Sequence, residues 1–195
     1  MKTFLILLLL SVNYLQAQKL NESNNKYVNN IKNYSFIIPT GWKQISKDYL
    51  MSSALTIGND VYDVGIYKFG DIETGLHPII TANFRIFKID EKDYLSIANK
   101  LILDSKLENL KSKLTNSEAL DIVNNMKINQ AYFDNKLNRL YFNIGYFEDG
   151  KLVGKGLNIF IFCQKGLLSI GIIDNPKDWN ENINEFYSVI NSLKY

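Results

Sequence analysis

Apolar and polar residues alternate with a period of two in several stretches of this chain, and each such stretch predicts a strand. Residues 34–39, Tyr-Ser-Phe-Ile-Ile-Pro, run into Thr40-Gly41, and an extended pattern resumes over Trp42 to Ile45, which predicts a strand, a turn and a second strand. The runs 61–69 and 79–88 alternate as well; in the second, Ile80, Ala82, Phe84 and Ile86 share one face while Thr81, Asn83 and Arg85 take the other. The period then lengthens. Between Glu91 and Leu114, Tyr94, Ile97, Ala98, Leu101, Leu107, Leu110 and Leu114 recur at three and four, so an amphipathic helix is predicted there with Asp90 as its cap.

Strand character returns over residues 120–173. Leu137 to Glu148 and Lys151 to Cys163 flank Asp149-Gly150, a pair suited to a type I′ hairpin turn. Leu140, Phe142, Ile144 and Tyr146 alternate with Arg139, Tyr141, Asn143 and Gly145. Gln164-Lys165-Gly166 turns the chain into Leu167 to Ile173, which is apolar on both sides and predicts a strand covered on both faces. A last helix opens at Asp174 or Asn175, places Pro176 in its first turn, and aligns Trp179, Ile183, Phe186, Tyr187, Ile190 and Leu193. The fold class expected from these elements is α/β, an antiparallel β-sheet flanked by helices.

The first residues change the picture of compartment. Met1-Lys2, a short apolar run from Phe4 to Leu10 and Ala17 have the layout of a signal peptide over residues 1–17, with cleavage after Ala17. The run is shorter than the roughly 20 apolar residues a membrane helix needs, so no span is expected in the mature chain. Residues 18–33 are rich in Asn and Lys and read as a flexible leader, which leaves 34–195 as a single domain. The expected location is exported, periplasmic or extracellular.

Two segments carry a family resemblance. The opening Phe36-Ile37-Ile38-Pro39-Thr40-Gly41-Trp42 and the closing Ile190-Asn191-Ser192-Leu193-Lys194-Tyr195, with strands, one central helix, a long hairpin and a terminal helix between them, resemble the PsbP and DcrB-like families. The resemblance implies an α/β/α sandwich. It also implies binding without catalysis, since PsbP-like proteins are exported accessory subunits of a photosynthetic membrane complex and DcrB-like proteins belong to the bacterial cell envelope. No functional residue carries over, because the matching positions are structural.

Composition and charge narrow the chemistry. The net charge of +2 comes from 22 basic and 20 acidic residues that are interspersed, so no concentrated basic surface for nucleic acid is expected. Cys163 is the single cysteine, which excludes an internal disulfide, and its neighbours Phe160 to Phe162 mark it as a buried strand residue. The single histidine, His77, stands before Pro78 in a loop, a poor position for a Ser-His-Asp or Cys-His site. Asp60, Asp63, Asp71, Glu73 and His77 gather in one stretch, the one place where carboxylates could hold a metal or act on a substrate, but their spacing fits no calcium loop and solvated loop charge is the better account. Glu148 and Asp149 belong to a hairpin turn, and Gly154-Lys155-Gly156 suits a bulge better than a phosphate loop.

The remaining lead is aromatic. Tyr132, Phe133, Tyr141, Phe147, Phe160 and Phe162 lie on or near the hairpin strands; any that face outward would form a binding patch, but core packing under the two helices is the better account of them. The function read from the chain is therefore an exported non-catalytic binding or accessory protein of the cell envelope, without cofactor, catalytic or metal residues, whose partner is a protein or a small apolar ligand. The alternatives are an exported hydrolase built on the carboxylates between Asp60 and His77, and a small-molecule or lipid carrier.

Overall fold

In the computed structural model the described residues are 25–46, 62–68, 78–106 and 124–195. The signal peptide, its cleavage point and the start of the leader lie outside them, as do Asp60, Asp71, Glu73 and His77. The strands are β1 (Lys26–Asn29), β2 (Tyr34–Ile37), β3 (Trp42–Gln44), β4 (Val64–Lys68), β5 (Ile79–Ile86), β6 (Met126–Asp134), β7 (Arg139–Glu148), β8 (Lys151–Cys163) and β9 (Gly166–Asp174). The helices are α1 (Tyr94–Asp104) and α2 (Trp179–Ser192).

Seven strands form one sheet in the order β3-β4-β5-β9-β8-β7-β6, and every neighbouring pair is antiparallel. Because side chains alternate across a strand, each central strand feeds two cores. Leu157, Ile159 and Ile161 of β8 and Leu168, Ile170 and Ile172 of β9 pack with Phe186, Val189 and Ile190 of α2. Phe162 of β8, Leu140 and Phe142 of β7 and Leu167 of β9 pack instead with Tyr94 and Ala98 of α1. The result is a sheet-dominated fold with two helices among the described residues, in keeping with the class expected from the sequence.

The hairpin turn has the chemistry its sequence demands. Asp149 and Gly150 both take positive φ, 50° and 75°, which splays the strands least against their own twist. The bulge expected around Gly154 falls one residue earlier, since Tyr146 pairs with Gly154 but Phe147 pairs with Leu152, leaving Val153 over. At the other end of β8, Gly166 takes a φ of 152° and comes so close to β5 that a Cβ there would stand 2.0 Å from the Arg85 carbonyl oxygen.

Four expectations need correction. The leader read as flexible over 18–33 contains β1, which pairs with β2 in a separate two-stranded sheet; Tyr27 is ordered by packing its ring against Tyr34 and Phe36. That hairpin is fastened at the far end of the chain, where Ser35 and Lys194 exchange backbone hydrogen bonds of 2.9 Å and the Ile37 N–H donates to Ser192 Oγ at 2.8 Å. The helix predicted from Glu91 begins with a 3-10 turn at Glu91–Asp93, Asp90 makes no side-chain cap bond, and α1 ends at Asp104. Ser105 closes it by donating its N–H to the Leu101 carbonyl and its hydroxyl to the Ile102 carbonyl, and residues 107–114 lie outside the described ones. Asn175 does not begin α2 directly: its Oδ1 accepts the N–H groups of Lys177 and Asp178 in a turn that contains Pro176, and the helix starts at Trp179. Ile86, placed by alternation on one face with Ile80, Ala82 and Phe84, and Tyr187, aligned with Phe186 and Ile190 on one face of α2, are both exposed where those neighbours are buried.

Candidate functional site

Of the five residues that gathered between 60 and 77, only Asp63 is among those described, and it is fully engaged. β4 begins at Val64, so the N–H of Phe84 on β5 lacks a ladder partner, and Asp63 Oδ2 accepts it at 2.8 Å. The same oxygen accepts the Tyr34 hydroxyl at 3.1 Å, and Oδ1 meets Lys32 Nζ at 2.6 Å. Burial, with the Asp63 charge beside it, holds the Tyr34 phenol well above its usual range, so it donates and does not ionise. Asp63 thus ties the β1–β2 hairpin to the sheet, and it stands at the opposite end of β4 from the point where residues 69–77 leave.

A second polar cluster fastens α2. Lys68 Nζ reaches Glu181 Oε1 at 2.6 Å, Asn182 Oδ1 at 3.0 Å and Glu185 Oε1 at 3.0 Å, and the Trp42 indole N–H donates to Glu185 Oε2. Beneath them Asp174 is buried, accepting Asn182 Nδ2 at 2.9 Å and the Asn175 N–H at 2.7 Å. Burial pushes its carboxyl above the ordinary value of 3.8 despite these bonds. A carboxyl whose pKa rises on folding favours the native state most when protonated, so its contribution is full below the unfolded value and lost as pH climbs through the native one. Asp174→Asn, which stays neutral, should therefore gain in melting temperature relative to wild type as pH is raised from below 3.8 into the neutral range; a difference that does not change with pH would contradict this.

Neither cluster leaves a free nucleophile or a proton-transfer pair, and among the described residues no three His, Cys, Asp or Glu side chains gather as a metal would require. Cys163 Sγ lies 3.5 Å from the Gly166 carbonyl oxygen inside a tight turn. Glu148 pairs across the hairpin with Lys151. Phe133, Phe160 and Phe162 belong to the core beneath α1.

The surface with unused recognition chemistry lies on β6 and β7. Their register sets Asp134 opposite Arg139, Tyr132 opposite Tyr141, and Gln130 opposite Asn143. Steps of two residues keep all three pairs on one face, the face whose core includes Tyr141 and α2. The rings of Tyr132 and Tyr141 stack with centroids 4.8 Å apart and planes 9° from parallel. Tyr141 is 8% exposed and Tyr132 42%, so the open surface of the pair belongs to Tyr132. On one side of the rings Asn143 Nδ2 donates to Gln130 Oε1 at 3.2 Å, an exposed amide pair. On the other, Arg139 keeps Nε buried with no hydrogen-bond partner among the described residues, while Asp134 Oδ1 caps the following turn through the N–H groups of Lys136 and Leu137.

Tyr187 of α2, 41% exposed, lies within electrostatic reach of Tyr132 and Tyr141. Burial first, and then the neighbouring phenols, raise Tyr132 and Tyr187 above the usual tyrosine range, so both hydroxyls are donors at neutral pH. Tyr132 and Tyr141 were in the sequence-based aromatic set. Arg139, Gln130, Asn143 and Tyr187 were not; the alternation of Arg139, Tyr141 and Asn143 along one strand pointed to two of them, whereas Gln130 and Tyr187 come to the surface through strand register and helix docking. The arrangement can stack, donate and accept; it cannot move a proton between two poised groups.

No helix among the described residues is long and apolar enough to cross a membrane. No family model matches the chain, and no curated protein matches it. Solved structures do. One is LpqN, described as involved in cell envelope biogenesis of Mycobacterium tuberculosis, at 12% identity over 83% of this chain and 82% of that one, with a TM-score of 0.49. Another is the solution structure of cyanobacterial PsbP, CyanoP, from Synechocystis sp. PCC 6803, at 11% identity over 92% of this chain and 98% of that one, with a TM-score of 0.50. The second likeness bears out the PsbP resemblance at the level of the fold.

Proposed function

We propose that this chain, with the fold of PsbP as its frame, is an exported, non-catalytic binding protein of the cell envelope that takes its partner on the Tyr132–Tyr141–Tyr187 surface, and that its two helices are the outer layers of an α/β/α sandwich. The observation that carries the reading is the stacked, half-open tyrosine pair beside exposed amides. Large aromatic area with polar tips is what recognition surfaces use, because a ring brings contact area at little cost in side-chain freedom. The engagement of Asp63 and of the Lys68 cluster supports the non-catalytic part, since both sets of charges already satisfy partners within the fold. Export rests on the layout of residues 1–17.

A photoreactive residue placed at position 132 or 187 should give adducts in envelope fractions, whereas one at Lys26, exposed on β1, should not. Tyr132→Ala combined with Tyr187→Ala should weaken capture by about thirtyfold, the loss of about 2 kcal/mol typical of an aromatic anchor. Adducts equally abundant from position 26, or capture untouched by the double substitution, would show that the partner docks elsewhere.

A further inference from the structure

Three cross-strand pairs, one of opposite charges, one of rings and one of amides, follow one another along β6 and β7, and we infer that they form a site for a neutral saccharide chain. The inference rests on the reading that this surface is where the protein binds. From Arg139 to Asn143 the stripe runs about 13 Å along the strand, room for a short oligosaccharide and more than a single ring needs.

The chemistry at each step suits a sugar. A pyranose presents one face of C–H groups and an equator of hydroxyls that both donate and accept. The open face of Tyr132 offers the flat apolar platform for the first. Around it stand groups of both kinds for the second: the amides of Gln130 and Asn143, the phenol hydroxyls of Tyr132 and Tyr187, and the guanidinium of Arg139. Because Arg139 Nε already lies out of water, exchanging the rest of its hydration for ligand hydroxyls costs less than it would for an exposed arginine.

Charge chooses among ligands. Within the three pairs the one cation, Arg139, faces the one anion, Asp134, across the strands, so the stripe offers no net field to a nucleotide or an acidic polymer. A lipid tail fits worse, for it would cover the Gln130–Asn143 amides and the arginine without replacing their hydrogen bonds with water. A neutral ligand rich in hydroxyls leaves none of these groups unpaired.

The test is a titration of the purified, isotope-labelled protein followed by NMR, with maltoheptaose, cellopentaose and chitotetraose as neutral probes, and an oligogalacturonate and a proline-rich peptide as comparators. At least one neutral probe should shift the amides of Tyr132, Tyr141 and Asn143 saturably at about 10 mM or below. Tyr132→Ala should weaken that binding at least about tenfold, and Tyr132→Phe, which keeps the platform, should retain it. The side chain is half exposed, so both variants should preserve the rest of the spectrum, which reports their folding directly. Absence of shifts from every neutral probe, or equal binding by Tyr132→Ala, overturns the inference. Should the peptide alone bind at these residues, the surface stands and the saccharide falls; saccharide shifts confined to another face sink both.

Discussion

Gly166→Ala is expected to cost more than about 4 kcal/mol and to leave the protein largely unfolded under conditions where the wild type is native. Two causes act at this residue. Its φ of 152° belongs to a region that side-chain-bearing residues rarely enter, and a Cβ there would stand 2.0 Å from the Arg85 carbonyl oxygen and 3.1 Å from the Phe84 ring. Neither neighbour can withdraw, because Ile86 pairs with Gly166 on one side and Cys163 on the other, binding it between β5 and β8. Gly150→Ala is the internal control. Gly150 also has positive φ, 75°, but nothing lies within 4 Å of its added Cβ, so the cost should be only about 1–2 kcal/mol. Urea midpoints of the two variants give the comparison, and equal losses would show that backbone strain alone, with no contribution from crowding, governs both sites.

Phe186→Ala should destabilise by about 3–5 kcal/mol, the range for emptying a buried aromatic site. For a chain of this size that lowers the melting temperature by about 6–20 °C. Phe186 is fully buried in the core shared by α2 with β8 and β9, where the space it vacates is walled by strands that cannot collapse inward. Its neighbour Tyr187 projects from the same helix with 41% of its surface exposed, and Tyr187→Ala should cost less than about 1 kcal/mol. Calorimetry of the two adjacent variants thus asks which side of α2 holds the domain together. A loss at Tyr187 as large as that at Phe186 would mean that the tyrosine surface is part of the core.

Elements governed by local chemistry were readable from the chain. Asp149-Gly150 announced its turn, the unbroken apolar run from Leu167 announced a strand packed on both faces, and Phe186 and Ile190 announced the inner side of α2. Elements that depend on distant partners were not. β1 is only four residues, half of them polar, and its strand exists because Tyr27 finds Tyr34 and Phe36 and because β2 is held from the C-terminal end. α1 stops at Asp104 although apolar residues continue to recur at helical spacing beyond it, so periodicity fixed its face and not its length. The candidate site divides the same way. Alternation placed Tyr141 with Arg139 and Asn143, whereas the contact of Tyr132 with Tyr141 needed the register between two strands, and the approach of Tyr187 needed the docking of a helix.

The bonds between Ser35 and Lys194 couple the first hairpin to the residues that follow α2. Ile37 leans on a hydroxyl 155 positions downstream, so part of what holds the first hairpin is supplied by the C-terminal end of α2. Removal of Ser192 to Tyr195 by a carboxypeptidase, which spares the buried Ile190, would consequently be felt at the first hairpin, as faster amide exchange in Tyr34 to Ile37.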